Sequence, residues 1–212
     1  MSYKHLAALS ALAMAACQAE PGTATENAAG STDAAFSAIV AAAPQPQPQS
    51  SSELRLSGPA GADAIAAVEA EAARQQMTQV KIASSQSFAV TENGRTVATL
   101  VTGEGNMPDT TLNGCFVATQ QGSETMLIPT VGYGNYELEP CGGPIAVGIL
   151  SSGPMPKLGF VFRSYSRESE ETVPVVVEWD RSNNTLLIDE QASEQAGLAG
   201  VKTIAQMRKL AK

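Results

Sequence analysis

The chain predicts an α+β domain built mainly from antiparallel β-strands: about eight short strands in a sandwich or curved sheet, with one helix before them and one after. Two observations predict it. Apolar and polar residues alternate along several short segments, and turn-forming pairs such as Asn93-Gly94 and Gly122-Ser123 separate those segments. Helical spacing of apolar residues is found only before the first of these segments and at the chain's end. Because short turns join antiparallel strands, the α+β class follows.

The first hairpin is expected at the asparagine-glycine pair, which strongly favours a two-residue turn. Pairing outward from that turn sets Glu92 opposite Arg95 and Val90 opposite Val97. A second hairpin is expected at the glycine-serine pair.

A third hairpin, turning at residues 181–184, sets Leu186 opposite Trp179 and Ile188 opposite Val177. Alternate residues of its first strand share one face, which is therefore predicted to lie in the core. These residues are Val173, Val175, Val177 and Trp179.

One helix is expected from Asp63, as its N-cap, to about Met77. The second is expected at the end of the chain, where Thr203 and Gln206 have the spacing of a capping box. Its apolar side should pack on the sheet.

The first seventeen residues predict export. Lys4 and His5 precede an apolar run, residues 6–16, which ends in small residues before Cys17. A membrane span needs about 20 apolar residues, so the run is too short to be one. The segment resembles the lipobox of bacterial lipoproteins, and this resemblance implies a lipid-modified Cys17 as the mature N-terminus.

The same resemblance implies a location. Gln18 follows Cys17, at a position where an aspartate would favour retention in the inner membrane, so the outer membrane, on its periplasmic side, is expected. A plain secretory signal, which would leave a soluble periplasmic or secreted protein, is the alternative. The expected organisation is a signal peptide over residues 1–17, a flexible tether rich in Ala, Pro, Gln and Ser over residues 18–57, and a single globular domain over residues 58–212.

Charge and composition exclude several functions. The chain carries 21 acidic and 13 basic residues, a formal net charge of −8, which becomes −9 when Lys4 leaves with the signal. This charge repels nucleic acids. The only histidine, His5, leaves with the signal as well, which removes His-based catalysis and His-containing metal sites. No nucleotide-binding loop is present, so neither a cofactor nor a metal is expected.

The cysteines predict one disulfide. If Cys17 carries lipid, Cys115 and Cys141 remain as an even pair in an oxidising compartment. Their separation favours a structural cross-link, because catalytic dithiols usually form a CxxC pair; redox exchange is the alternative.

Three functions stay open, and no motif decides whether the protein is an enzyme, although the lack of catalytic motifs favours a non-catalytic one. The first is a membrane-attached binding or accessory domain that recognises an envelope protein or a cell-wall component through Tyr133, Tyr136 or Tyr165. The second is a hydrolase of cell-wall or glycan substrates that uses Glu178 and Asp180, two carboxylates on one face of a strand. The third is an inhibitor or assembly factor that inserts the loop of residues 122–143 into a partner. The oligomeric state is left open.

Overall fold

The computed structural model describes residues 53–108, 110, 112–165 and 169–211. This part of the chain forms ten strands in two antiparallel sheets, together with three helices, and it confirms the predicted α+β class. The strands are β1 (Leu54–Pro59), β2 (Thr78–Ile82), β3 (Phe88–Glu92), β4 (Arg95–Asn106), β5 (Asn113–Gln121), β6 (Glu124–Pro129), β7 (Cys141–Ile149), β8 (Lys157–Tyr165), β9 (Glu170–Asp180) and β10 (Thr185–Ile188). The helices are α1 (Ala62–Arg74), α2 (Glu190–Leu198) and α3 (Ile204–Leu210).

The two sheets divide the chain into halves. The first sheet has the order β1-β3-β4-β5-β6, with β2 paired to the far end of β4. The second has the order β10-β9-β8-β7. Six of the eight paired neighbours in the described part of the chain are consecutive and joined by connections of two to seven residues, which favours antiparallel pairing. The pairs β1–β3 and β2–β4 are not consecutive.

A buried core fills the space between the sheets. Val117 and Leu100 reach it from the first sheet, and Phe160, Val175 and Trp179 reach it from the second. The four residues predicted to share one face of β9 all lie in this core. The sheets therefore form a sandwich.

The helices cover the two outer faces of the sandwich. Val68 and Ala72 of α1 pack on Val101 and Phe116 of the first sheet, whereas α2 and α3 pack on Val161 and Val176 of the second sheet. Because both faces of the central strands are buried, the middle of β5 (residues 115–118) and of β9 (residues 173–177) is apolar on both faces, in addition to the alternating residues that face the core.

Buried polar groups tie the two sheets together. Trp179 Nε1 and Thr119 Oγ1 both donate to Asn184 Oδ1, at 3.1 and 2.7 Å, and Asn184 Nδ2 donates to the Glu124 carbonyl at 3.2 Å. Beside them, the Arg181 guanidinium bonds both carboxylate oxygens of Glu92, at 2.8 and 2.9 Å. These bonds fix the relative position of the sheets near the β9–β10 turn.

Most of the predicted hairpin pairings are confirmed. Glu92 pairs with Arg95, Leu186 with Trp179, and the second hairpin turns where expected. One pairing is wrong: a β-bulge shifts the register, so Val90 faces Ala98 instead of Val97. A bulge places an extra residue in one strand, which turn residues alone do not predict.

Two element boundaries and one additional helix also differ from the sequence prediction. The folded part includes Leu54, which is buried in the sandwich core, so β1 begins within the expected tether. Gly61, and not Asp63, is the N-cap of α1. α2 was not expected, because its sequence is polar. The Asp189 side chain caps it by accepting the Ala192 N–H, and Ser193 is buried against the second sheet. The terminal helix α3 is confirmed, with Thr203 as its cap and Met207 buried against the sheet.

Candidate functional site

A disulfide between Cys115 and Cys141 joins the two sheets at one end of the sandwich. Cys115 lies in β5 and Cys141 opens β7, with their Cα atoms 5.4 Å apart, and both residues are buried. The sequence-predicted pair is therefore a covalent link between sheets. We call this part of the molecule the disulfide end.

Hydrogen bonds hold the backbone around the disulfide. Asn113 Nδ2 donates to the Cys141 carbonyl at 2.9 Å and to Glu104 Oε2 at 3.1 Å, while the Thr130 hydroxyl donates to the Cys115 carbonyl at 3.0 Å. Lys81 Nζ lies 3.2 Å from Glu104 on the outer side. The segment between the cysteines is thus fixed at both of its ends.

A groove opens at the disulfide end between one wall, formed by Pro108, Thr110 and Leu112, and residues 132–138. Its volume is about 770 Å³, a size suited to a peptide segment or a small ligand. Its described lining residues are Pro108, Thr110, Leu112, Gly132, Tyr133, Gly134, Glu137 and Leu138. Gly132 has a φ of +86° and lies against the Gly114 backbone, where a Cβ atom would be 2.8 Å from Gly114 Cα. Only glycine fits this turn, which sets the position of Tyr133.

The rim of the groove exposes large apolar side chains. Tyr133 is 52% exposed and Leu138 is 85% exposed. Leu138 lies between Glu137 and Glu139 in sequence. The backbone N–H of Glu137 donates to the Gly134 carbonyl at 3.1 Å, whereas its carboxylate lines the groove. A surface with this mixture of apolar and acidic groups suits an apolar partner segment that carries positive charge.

More carboxylates lie close to the groove. Burial, and secondarily the Glu171 carboxylate, raises the pKa of Glu139. Glu170 forms an ion pair with Arg163 at 2.9 Å. The charge at the disulfide end is therefore mainly negative.

The three sequence-predicted tyrosines have different surroundings. Tyr133 lines the groove, and Tyr165 is 46% exposed with its ring against Gly142, one residue from the disulfide. Tyr136 packs instead against the sandwich core, where burial raises the pKa of its phenol. Tyr133 and Tyr165 are therefore accessible to a partner, whereas Tyr136 has a structural role in the core.

The two carboxylates proposed for hydrolysis have structural partners. Glu178 lies 3.2 Å from Lys157 Nζ. Asp180 accepts hydrogen bonds from the N–H and the hydroxyl of Ser182, at 2.9 and 2.6 Å, and these bonds lower its pKa. Hydrogen bonding to Asp189 raises the pKa of Lys157, which keeps this lysine protonated and unsuited to act as a base. The hydrolase hypothesis stays a prediction, and no feature of the geometry favours it.

The predicted lipid site, Cys17, lies outside the described residues. Among the helices that the structure describes, none combines the length and the apolar content that a membrane crossing requires. In those same ranges, no three His, Cys, Asp or Glu side chains come together to hold a metal ion.

The fold and the site define a disulfide-linked β-sandwich with helices on both outer faces and an exposed groove at one end. Comparison of the chain with family models, with curated proteins and with solved structures gave no match.

The sequence pointed to the loop of residues 122–143 but missed Leu138 and the facing wall of the groove. The signal for Leu138 is a large apolar residue between two glutamates near a cysteine. The facing wall, Pro108, Thr110 and Leu112, carries no such signal, because only the folded sheets bring it next to residues 132–138.

Proposed function

We propose that this protein is a non-catalytic binding domain of the bacterial cell envelope, attached to the outer membrane through lipid on Cys17, and that it binds a partner protein with the groove at the disulfide end. The observation that carries this proposal is the exposure of Tyr133 and Leu138 on a segment that a disulfide fixes in place. Exposed aromatic and aliphatic side chains on a rigid support act as anchors, because little entropy is lost when a partner covers them.

The charges favour a partner segment with apolar and basic side chains. Glu137 lines the groove, and the neighbouring carboxylates repel acidic partners. An inhibitor or assembly factor would use the same surface, and it differs only in what the bound partner does.

Site-specific photo-crosslinking in cells tests the binding proposal. A photoreactive amino acid is placed at Leu138 in the full chain and, as a matched control, at Leu187, which is 57% exposed on β10. We expect a discrete protein adduct from position 138 and none from position 187. Adducts that are the same at both positions, or absent from both, would contradict the proposal.

The identity of the cross-linked protein also distinguishes an inhibitor from an accessory protein. If position 138 captures an enzyme, the activity of that enzyme with and without the full chain decides between these two roles.

The anchor is tested separately by Cys17→Ser, which should release the protein from the membrane fraction without altering the fold of residues 53–211. Membrane retention of this variant would remove the lipid anchor from the proposal but leave the groove.

A further inference from the structure

A second groove, distant from the disulfide, lies between β1 and the C-terminal end of β7. Its volume is about 580 Å³. The side chains that give it its chemistry are Glu53, Arg55, Ser151, Ser152 and Arg208, and the strand residues Leu54, Leu56 and Val147 to Leu150 form the rest of its lining. We call it the arginine groove.

Arg208 is held in this groove by one of its five donors. Its Nε donates to the Ile149 carbonyl at 2.9 Å, which fixes the plane of the guanidinium against the edge of β7. The two terminal nitrogens make no hydrogen bond to the described residues, so their four N–H donors stay available. A guanidinium that is already oriented loses less entropy when it binds an anion.

The two serines add further donors. The Ser151 hydroxyl accepts the Lys157 N–H at 3.0 Å, and the Ser152 hydroxyl accepts the Leu54 N–H at 3.3 Å. Each hydroxyl oxygen therefore serves as an acceptor, while its own hydrogen has no acceptor among the described residues. Both hydroxyls can donate to a ligand in the groove.

The C-terminal segment that supplies Arg208 has a net charge opposite in sign to that of the rest of the chain. Residues 195–212 contain four basic and no acidic residues, whereas residues 1–194 contain nine basic and 21 acidic ones. In the groove, Arg55 and Arg208 face a single carboxylate, Glu53. The pair of Glu53 and Arg55, at 2.8 Å, is more than 60% exposed on both sides, so an incoming anion can compete for Arg55.

We propose that the arginine groove binds a phosphate group, with Arg55 and Arg208 as charged donors and the hydroxyls of Ser151 and Ser152 as neutral donors. Guanidinium and hydroxyl groups that converge on one site are the donor set that phosphate oxygens prefer. The phosphate can belong to an anionic lipid headgroup or to a soluble molecule. This proposal does not involve the disulfide end and stands without the function proposed for it.

The test uses the full chain in neutral detergent, with inorganic phosphate and glycerol phosphate as soluble probes. Nuclear magnetic resonance follows the amide signals of Ser151 and Ser152 and the Nε signal of Arg208. We expect these signals to shift with a Kd of about 1 mM or tighter. Arg55→Gln and Arg208→Gln should each weaken binding about fivefold, and Arg74→Gln, which removes an exposed arginine of α1, should leave it unchanged. Arg208→Lys retains the charge and should give an intermediate affinity.

Vesicles distinguish the source of the phosphate. Hydrogen exchange of residues 147–152 is measured on the full chain with vesicles of phosphatidylcholine, with or without phosphatidylglycerol. Protection that requires phosphatidylglycerol and is lost in Arg55→Gln identifies a lipid headgroup, while binding of the soluble probes alone identifies a soluble phosphate. The proposal is overturned if neither soluble phosphate nor phosphatidylglycerol affects residues 147–152, or if Arg74→Gln weakens binding as much as the groove variants do.

Discussion

The two ends of β7 differ in charge and in the way they are held. The strand has nine residues and spans about 30 Å. At Cys141 it is linked covalently to β5, beside carboxylates and exposed apolar side chains. At Ile149 it is covered by Arg208, beside Arg55 and two serines. One strand thus connects an acidic, apolar surface with a cationic, polar one.

The two ends also differ in what holds the backbone in place: a disulfide at one end and side-chain hydrogen bonds at the other. The segment before Cys141 is held by the disulfide, so its position does not depend on burial of its own apolar side chains, and Leu138 stays in solvent. At the other end the strand edges are covered by side chains, since Arg208 bonds the β7 edge and Ser152 bonds β1. Covering an edge in this way also limits pairing with foreign strands.

Removal of the disulfide should cause the largest loss of unfolding free energy and should, in addition, loosen the disulfide end locally. Cys115→Ala with Cys141→Ala opens a cross-link of 26 residues, and the expected loss is about 3.5 kcal/mol of unfolding free energy in the chain-entropy model. Denaturant unfolding measures the loss, and hydrogen exchange should rise in residues 130–143. If local exchange in residues 147–152 rises as much as in residues 130–143, beyond the increase set by the lower global stability, the two ends are not independent.

Asn184→Ala should cause the second-largest loss of unfolding free energy, because it weakens the link between the two sheets. The change leaves Trp179 Nε1 and the Thr119 hydroxyl buried without their acceptor, and it places alanine at a φ of +50°, which asparagine tolerates better. We expect a loss of about 2–4 kcal/mol in thermal or denaturant unfolding. The exposed neighbour provides the control, because Asn183→Ala should cost below about 0.5 kcal/mol. Similar losses in both variants would mean that the buried bonds do not link the sheets.

Asp189→Asn should have a smaller effect that depends on pH. Burial would raise the pKa of Asp189, but the hydrogen bonds from Lys157 and from the Ala192 N–H outweigh it and hold the pKa below its usual value. A carboxyl with a lowered pKa stabilises the fold above its unfolded pKa and loses this contribution as pH falls. Because asparagine still caps α2, the variant should lose about 0.5–1 kcal/mol at neutral pH.

Its pH dependence provides the check. The unfolding free energies of the variant and of the parent chain should converge as the pH falls below the usual carboxyl range, near pH 4. A difference that stays constant over the whole pH range would indicate a lost cap and not a lost charge.

Glu139→Gln should have the smallest effect and the opposite sign. Burial and the Glu171 carboxylate raise the pKa of Glu139, so ionisation of this group destabilises the fold as pH rises through the raised pKa. Removing the charge should increase the unfolding free energy at neutral pH by less than about 0.5 kcal/mol, because the side chain is partly exposed. The gain should disappear in acid, and a loss of stability at neutral pH would contradict the assignment.

Local patterns predicted much of the fold. The turn pairs set the hairpins, and the alternation in β9 identified a strand of the core, because both signals act between neighbouring residues. β1 and α2 were missed, since β1 has only two large apolar residues beside Gly58 and Pro59, and α2 is polar. Each of these elements is stabilised by the surface on which it packs, and that surface is not a local property of the sequence.

The candidate sites were predicted only in part. Tyr133 and the two cysteines were identified as residues, but the structure alone separated Tyr133 from the half-buried Tyr136. The arginine groove had no signal, because its serines and its two arginines are far apart in sequence, at 55, 151, 152 and 208.

The sequence by itself determined the class of fold, the hairpin turns, the apolar face of β9 and the pair of cysteines. The tertiary structure decided which side chains face solvent and which distant segments share a groove. The physical reason is the range of the interactions. Turn geometry and alternation depend on adjacent residues, whereas exposure and convergence depend on the packing of two sheets, in which one hydrogen bond joins residues 98 positions apart.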